Sequence, residues 1–213
     1  MKGQSLYHGL EVVVQCWWPQ GYAIKRGVKF HTAMPFRPSH WPGELEYLTS
    51  PRYHSSVPVH VRNSLQSTTG ALNSAPSQRP SVVIRPITDE THPAKGQYGL
   101  FTSKKIPPRT HILDYIGEVH CNERPESDYD LSLCHHEDGS NVGIDASKMG
   151  NEARFINDFR GVASRPNALF EECRTAAGEL RMSVWSGPQG IKKGDEILVS
   201  YGKGFWKART AQD

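Results

Sequence analysis

Gly194-Asp-Glu-Ile-Leu-Val-Ser-Tyr201 reads as a glycine turn feeding a short apolar strand that ends on a tyrosine. Gly202-Lys-Gly204 follows, with nine residues beyond it, too few for the helix and second strand of a βαβ phosphate-binding unit. The same texture extends upstream. Strands are expected at Val82–Ile87, Gly96–Phe101, Thr110–Val119, Asp128–Leu133, Asn141–Asp145, Ala168–Glu172, Arg181–Trp185 and Glu196–Tyr201. One short helix is expected over Ser147–Asn157, where Met149, Ala153 and Ile156 fall on one face and Asp145 or Ser147 caps the start. Short strands that do not alternate with long helices predict a mainly β fold with short helices, not a doubly wound nucleotide-binding sheet.

Composition agrees. A chain of 213 residues fits one domain, or one domain with an appendage. Its 19 glycines and 15 prolines argue against a helical bundle or coiled coil. No stretch approaches the ~20 apolar residues of a membrane helix, and the N-terminus lacks a secretory pattern, so a nuclear or cytoplasmic location is expected. A net charge of +3 gives no case for direct nucleic-acid binding. Cys16, Cys121, Cys134 and Cys173 include no CxxC pair, and Cys134-His135-His136 would point to alternate faces of a strand, so no metal is expected.

Residues 1–80 form an N-terminal extension and linker, partly irregular, with one strand at Leu10–Trp18 and a helical turn around Val59–Leu65. Residues 81–206 form the domain and 207–213 a tail. Gly-x-Ser-x-Gly, HExxH and the Walker lysine motif are absent, which disfavours the hydrolase and kinase mechanisms those motifs serve.

Four segments in fixed order carry the functional signal: Lys95-Gly-Gln-Tyr-Gly-Leu-Phe101, Tyr115-Ile-Gly-Glu118, Gly150-Asn-Glu-Ala-Arg-Phe-Ile-Asn157 and Gly194–Tyr201. With Ile144-Asp-Ala146 and Pro166-Asn167 between them, they resemble the SET domain of protein-lysine methyltransferases over about residues 81–206, most like short fungal SET-domain proteins. The resemblance implies small β-clip-like sheets with a C-terminal pseudoknot, S-adenosyl-L-methionine (AdoMet) as methyl donor, and the ε-amine of a protein lysine as acceptor. A basic histone tail and a non-histone protein are both open as substrates.

By the same resemblance, Gln97, Tyr98 and Gly99 approach the amino-acid end of the cofactor. Arg154, Asn157 and Asp158 lie beside it, with the Asn157 side chain supporting the methionine end. Tyr201 sits on the methyl-transfer axis and Tyr115 lines the lysine channel. Aromatic walls suit a cationic substrate through cation–π attraction. The stretch Asn122–Asp138 is acidic, either a rim for a basic peptide or a solvated loop.

Three departures from the family pattern stand out. Asp158 replaces a histidine. Val199 stands where many relatives carry Phe or Tyr. No cysteine follows Cys173 to build a zinc module after Tyr201, which leaves Phe205 and Trp206 either as an apolar lid or as anchors of the C-terminus. The rival to an enzyme is a catalytically inactive SET module that binds a peptide or protein partner.

Overall fold

The computed structural model describes residues 37–67, 81–136, 139–202 and 205–206. The strand expected at Leu10–Trp18 lies outside them. Among the described residues short strands dominate and assemble into five small sheets.

The segment before residue 81 contributes β1 (Glu46–Tyr47), β2 (Arg52–Tyr53) and helix α1 (Val59–Leu65), the last at the expected position. Val61 and Leu65 bury one face of α1. Its C-terminal carbonyls are held by Arg174, whose Nη1 donates to Ser64, Leu65 and Ser67 at 3.2–3.4 Å. A guanidinium at a helix C-terminus satisfies acceptors the helix itself cannot.

β3 (Val82–Pro86) and β4 (Tyr98–Thr102) form an antiparallel pair. β5 (His111–Tyr115) joins a three-stranded sheet with β11 (Ala168–Arg174) and β12 (Leu180–Ser186). β6 (Glu118–His120), β7 (Asp130–His135) and β8 (Asn141–Asp145) form a four-stranded sheet with β2. The central strands β8 and β12 are buried along most of their length, as strands covered on both faces must be. The core runs through Ile84, Leu100, Val119, Val142, Ile144, Val184, Ile197 and Val199.

The run Thr110–Val119, expected as one strand, breaks at Ile116-Gly117 so that β5 and β6 serve different sheets. A Cβ on Gly117 would lie 2.4 Å from the Asp145 carbonyl oxygen, so the corner closes only around glycine. Nor is Ser147–Asn157 a continuous helix. It is β9 (Met149–Gly150), one 3-10 turn at Glu152–Phe155, and β10 (Asn157–Asp158). β1 pairs with β9 and β13 (Leu198–Val199) pairs with β10, both in parallel, so distant strands claim both ends of the stretch. Asn151, not Asp145 or Ser147, caps the turn, its side chain accepting from the Ala153 amide.

β13 is gripped from two sides. Leu198 is in register with Asn157 in β10. Its N–H donates to Asn167 Oδ1 at 2.9 Å, and its carbonyl accepts from the Asn167 amide at 3.0 Å. The strand therefore lies between the two ends of the 159–167 loop, a knot-like crossing that sets Tyr201 beside Asn157 and Asp158.

Candidate active site

Around this crossing lies a groove of about 1010 Å³. Gln97, Tyr98, Tyr115, Arg154, Asn157, Asp158, Tyr201 and Trp206, far apart in sequence, all line it.

Asn157 Nδ2 donates to the Glu196 carboxylate at 2.8 Å and to the Tyr98 carbonyl at 3.3 Å. Both partners are pure acceptors, so the amide orientation is fixed and Oδ1 is left as the acceptor for a ligand in the groove. Gly99 does not line the groove. A Cβ there would sit 2.6 Å from Glu196 Oε1, so its glycine makes room for the carboxylate that holds Asn157.

Asp158 is nearly buried and receives several donors. Oδ1 accepts from the Arg160 amide at 2.9 Å. Oδ2 accepts from the Tyr201 amide at 2.7 Å, the Arg160 guanidinium at 2.8 Å and the Trp206 indole at 3.4 Å. Burial opposes ionisation of this carboxyl, but those hydrogen bonds outweigh it and hold the pKa below the usual carboxylate value.

Tyr201 donates its hydroxyl to the Ile156 carbonyl at 2.7 Å. Tyr115, buried, donates to the Tyr129 carbonyl at 2.8 Å. Burial first, then the neighbouring Tyr201, push Tyr115 well above the ordinary phenol pKa, so it stays neutral. With each O–H committed to a backbone carbonyl, each phenol can meet a further partner only as an acceptor. Phe170 stands edge-on to Tyr115 at 6.0 Å and lines the same groove. Arg154 donates to the Ala146 carbonyl and stacks over the Tyr129 ring at 4.1 Å, which makes it a brace of the wall.

Phe205 packs edge-on against Tyr201 at 4.7 Å, and Trp206 against Phe205 at 5.3 Å. Both line the groove. Val199, by contrast, is fully buried in β13 and does not line it. Within the acidic stretch, Asp128 and Asp130 reach the groove, joined by Glu44 from before β1, while Glu137 and Asp138 lie outside the described residues. No group of three or more His, Cys, Asp or Glu among the described residues is placed to hold a metal ion.

Sequence reasoning missed Glu196, His92, Tyr129 and Phe170. A carboxylate in Gly194-Asp-Glu196 carries no local sign that it will meet Asn157, 39 residues earlier. Phe170 had the faint signal of an aromatic in a strand just after Pro166-Asn167.

Small sheets around a knotted crossing, with paired phenols and an asparagine in one groove, define a SET domain. Residues 97–202 match the family model described as SET domain. The chain is 30% identical to human histone-lysine N-methyltransferase EHMT1 over 115 residues, covering 51% of this chain and 8% of that protein. It is 35% identical to Caenorhabditis elegans histone-lysine N-methyltransferase set-2 over 112 residues, covering 49% of this chain and 7% of that protein. The chain thus spans less than a tenth of the length of these curated relatives. Among solved structures, ATXR5 in complex with a mono-methylated histone H3.1 superposes with a TM-score of 0.56 at 18% identity, covering 75% of this chain and 82% of that one. The chain belongs to the SET-domain family and is similar to these histone-lysine methyltransferases.

Proposed function

We propose that this chain transfers a methyl group from AdoMet to the ε-amine of a lysine in a protein substrate. The observation that carries the reading is the pair of phenols, Tyr115 and Tyr201, each donating its proton to a backbone carbonyl at 2.7–2.8 Å in the groove that also holds Asn157. The groove matches the upper size of small-molecule sites, roughly 300–1000 Å³. Its chemistry also fits a cationic amino-acid-bearing ligand. Asn157 Oδ1 offers an acceptor, Tyr98 offers a partly exposed ring, and Phe205 and Trp206 offer apolar cover.

In this reading Gln97, Tyr98, Asn157 and Asp158 hold the cofactor, which supplies an electrophilic methyl on sulfur. Tyr115, Phe170 and Tyr201 form an aromatic sleeve that admits a lysine side chain and sheds water. The phenol oxygens accept N–H bonds from the substrate amine and fix the direction of its lone pair. That alignment is the main demand of an in-line displacement. Glu44, Asp128 and Asp130 give the groove an acidic margin that steers basic sequence toward it, which favours a basic peptide such as a histone tail in the nucleus. Asp158 in place of histidine does not by itself argue for an inactive module, because its carboxylate anchors the Tyr201 backbone.

Purified chain incubated with labelled AdoMet and histone or cell-extract protein tests the reading. Label in a protein band, abolished by excess S-adenosylhomocysteine, is the expected result. Failure of either ligand to bind at hundreds of micromolar, by calorimetry and thermal shift, would overturn it.

A further inference from the structure

We propose that His92 is a positioning residue that anchors the Glu196 carboxylate where it holds the Asn157 amide in its cofactor-facing orientation. The inference rests on the cofactor role proposed above for Asn157.

His92 and Glu196 are almost wholly buried, with side chains 7% and 8% exposed, and lie 104 residues apart. His92 Nδ1 accepts the Ala94 amide N–H at 3.0 Å. That bond fixes the tautomer: in the neutral ring the proton is on Nε2. Nε2 then donates to Glu196 Oε2 at 3.1 Å. Glu196 Oε1 accepts from Asn157 Nδ2 at 2.8 Å, in the space that Gly99 leaves open. The Ala94 amide makes the imidazole a donor, and the imidazole anchors one oxygen of the carboxylate so that the other, which can only accept, meets Asn157. Asn157 must therefore turn its NH₂ inward and its Oδ1 outward. An outward oxygen receives an ammonium, whereas an outward NH₂ would repel one. His92 also lines the groove beside Pro93 and Ala94, so the relay begins at the wall it serves.

Glu196→Gln tests this with little change of shape. Because Ala94 still fixes His92 as a donor, the new amide must give its oxygen to His92 and its NH₂ to Asn157. Asn157 then faces a donor at position 196 and an acceptor at the Tyr98 carbonyl, so neither orientation of its amide satisfies both and its fixed orientation is lost. Affinity for AdoMet and S-adenosylhomocysteine should fall about tenfold or more, the scale of one charge-assisted hydrogen bond lost. Binding of 5′-methylthioadenosine, which lacks the amino-acid end, should be unchanged. His92→Ala should show the same ligand-selective loss, and His92→Gln, which places an amide N–H near the former Nε2, should recover most of it. Calorimetry with the three ligands reads the outcome. Wild-type affinity for AdoMet in His92→Ala, whatever Glu196→Gln does, or equal losses for all three ligands, overturns the role of His92 while leaving the proposed activity standing. Absence of binding by the wild-type chain overturns both.

Discussion

The backbone amide of Tyr201 donates to Oδ2 of Asp158 at 2.7 Å, across 43 residues of sequence. The residue that departs from the family pattern is thus the one that ties the tyrosine of the proposed methyl-transfer axis to the strand of the proposed cofactor site. The same carboxylate receives Arg160 and the Trp206 indole, so one side chain coordinates strand, tyrosine and the aromatic residues after it.

Replacing Asp158 by Asn should cost stability and flatten its acid dependence. The carboxyl is held below its ordinary value of 3.8, with hydrogen bonds outweighing burial. A depressed folded-state pKa contributes stability that is present above the unfolded value and lost as pH falls through the folded one. Urea midpoints should therefore be level from pH 7 to about 5 and drop below about pH 4, with Asp158→Asn removing part of that drop. Asp114, Asp145, Glu46 and Asp89 are held low as well and contribute to the remainder. At pH 7, Asp158→Ala should cost roughly 1–3 kcal/mol by leaving the Tyr201 amide unpaired. Asp158→His, although it inserts the family's residue, should lower activity because imidazole cannot accept from Tyr201, Arg160 and Trp206 together.

Tyr201→Phe keeps the ring against Phe205 and deletes the hydroxyl that donates to Ile156. AdoMet affinity should change less than threefold, whereas turnover should fall by about 10²-fold or more, as when one positioned polar group at a reaction centre is removed. Single-turnover methylation beside calorimetry separates the two. Full turnover in Tyr201→Phe would show that the hydroxyl has no chemical role.

The legible parts of the sequence were those whose signals are local. Tyr115, Asn157 and Tyr201 sit in short segments with glycines or alternating apolar residues beside them, and all three reach one groove. The 147–157 stretch misled because Met149, Ala153 and Ile156 have helical spacing, yet β1 and β13 impose extended backbone at its two ends. No periodicity can announce a partner 103 residues away, as Glu46 is from Met149, or 41 away, as Leu198 is from Asn157. The His92–Glu196 pair stayed hidden for the same reason. Each residue sits in an ordinary polar turn or strand entry until the crossing buries them together.

Gly99→Ala should damage both stability and cofactor binding. The added Cβ would fall 2.6 Å from Glu196 Oε1 and 3.0 Å from the Phe101 ring, inside a paired strand that has little freedom to shift. Overpacking of this kind costs about 1–3 kcal/mol. Displacing the Glu196 carboxylate also releases Asn157. Thermal unfolding should show the stability loss, and AdoMet titration should show weaker binding even in the fraction that remains folded.

Trp206→Ala tests whether the residues after Tyr201 cover the groove. The indole leans on Phe205 at 5.3 Å, lies 5.6 Å from the Arg160 guanidinium and donates to Asp158 at 3.4 Å, yet keeps 36% of its surface exposed. A ring held at a groove margin contributes little to the core, so its removal should change folding stability by less than about 1 kcal/mol. Its removal should instead open the groove to water, which weakens electrostatic alignment of the amine. The Michaelis constant for AdoMet or peptide should rise several-fold and turnover should fall, with Trp206→Phe recovering part of the loss because an aromatic face returns over Phe205. Chelators should leave the rate unchanged, because the proposed alignment of amine and methyl rests on the side chains of the groove. Steady-state methylation of wild type and both variants, run with and without chelator, reads all of these at once. A stable and fully active Trp206→Ala, or activity lost to chelation and restored by zinc, would remove the aromatic lid from the account.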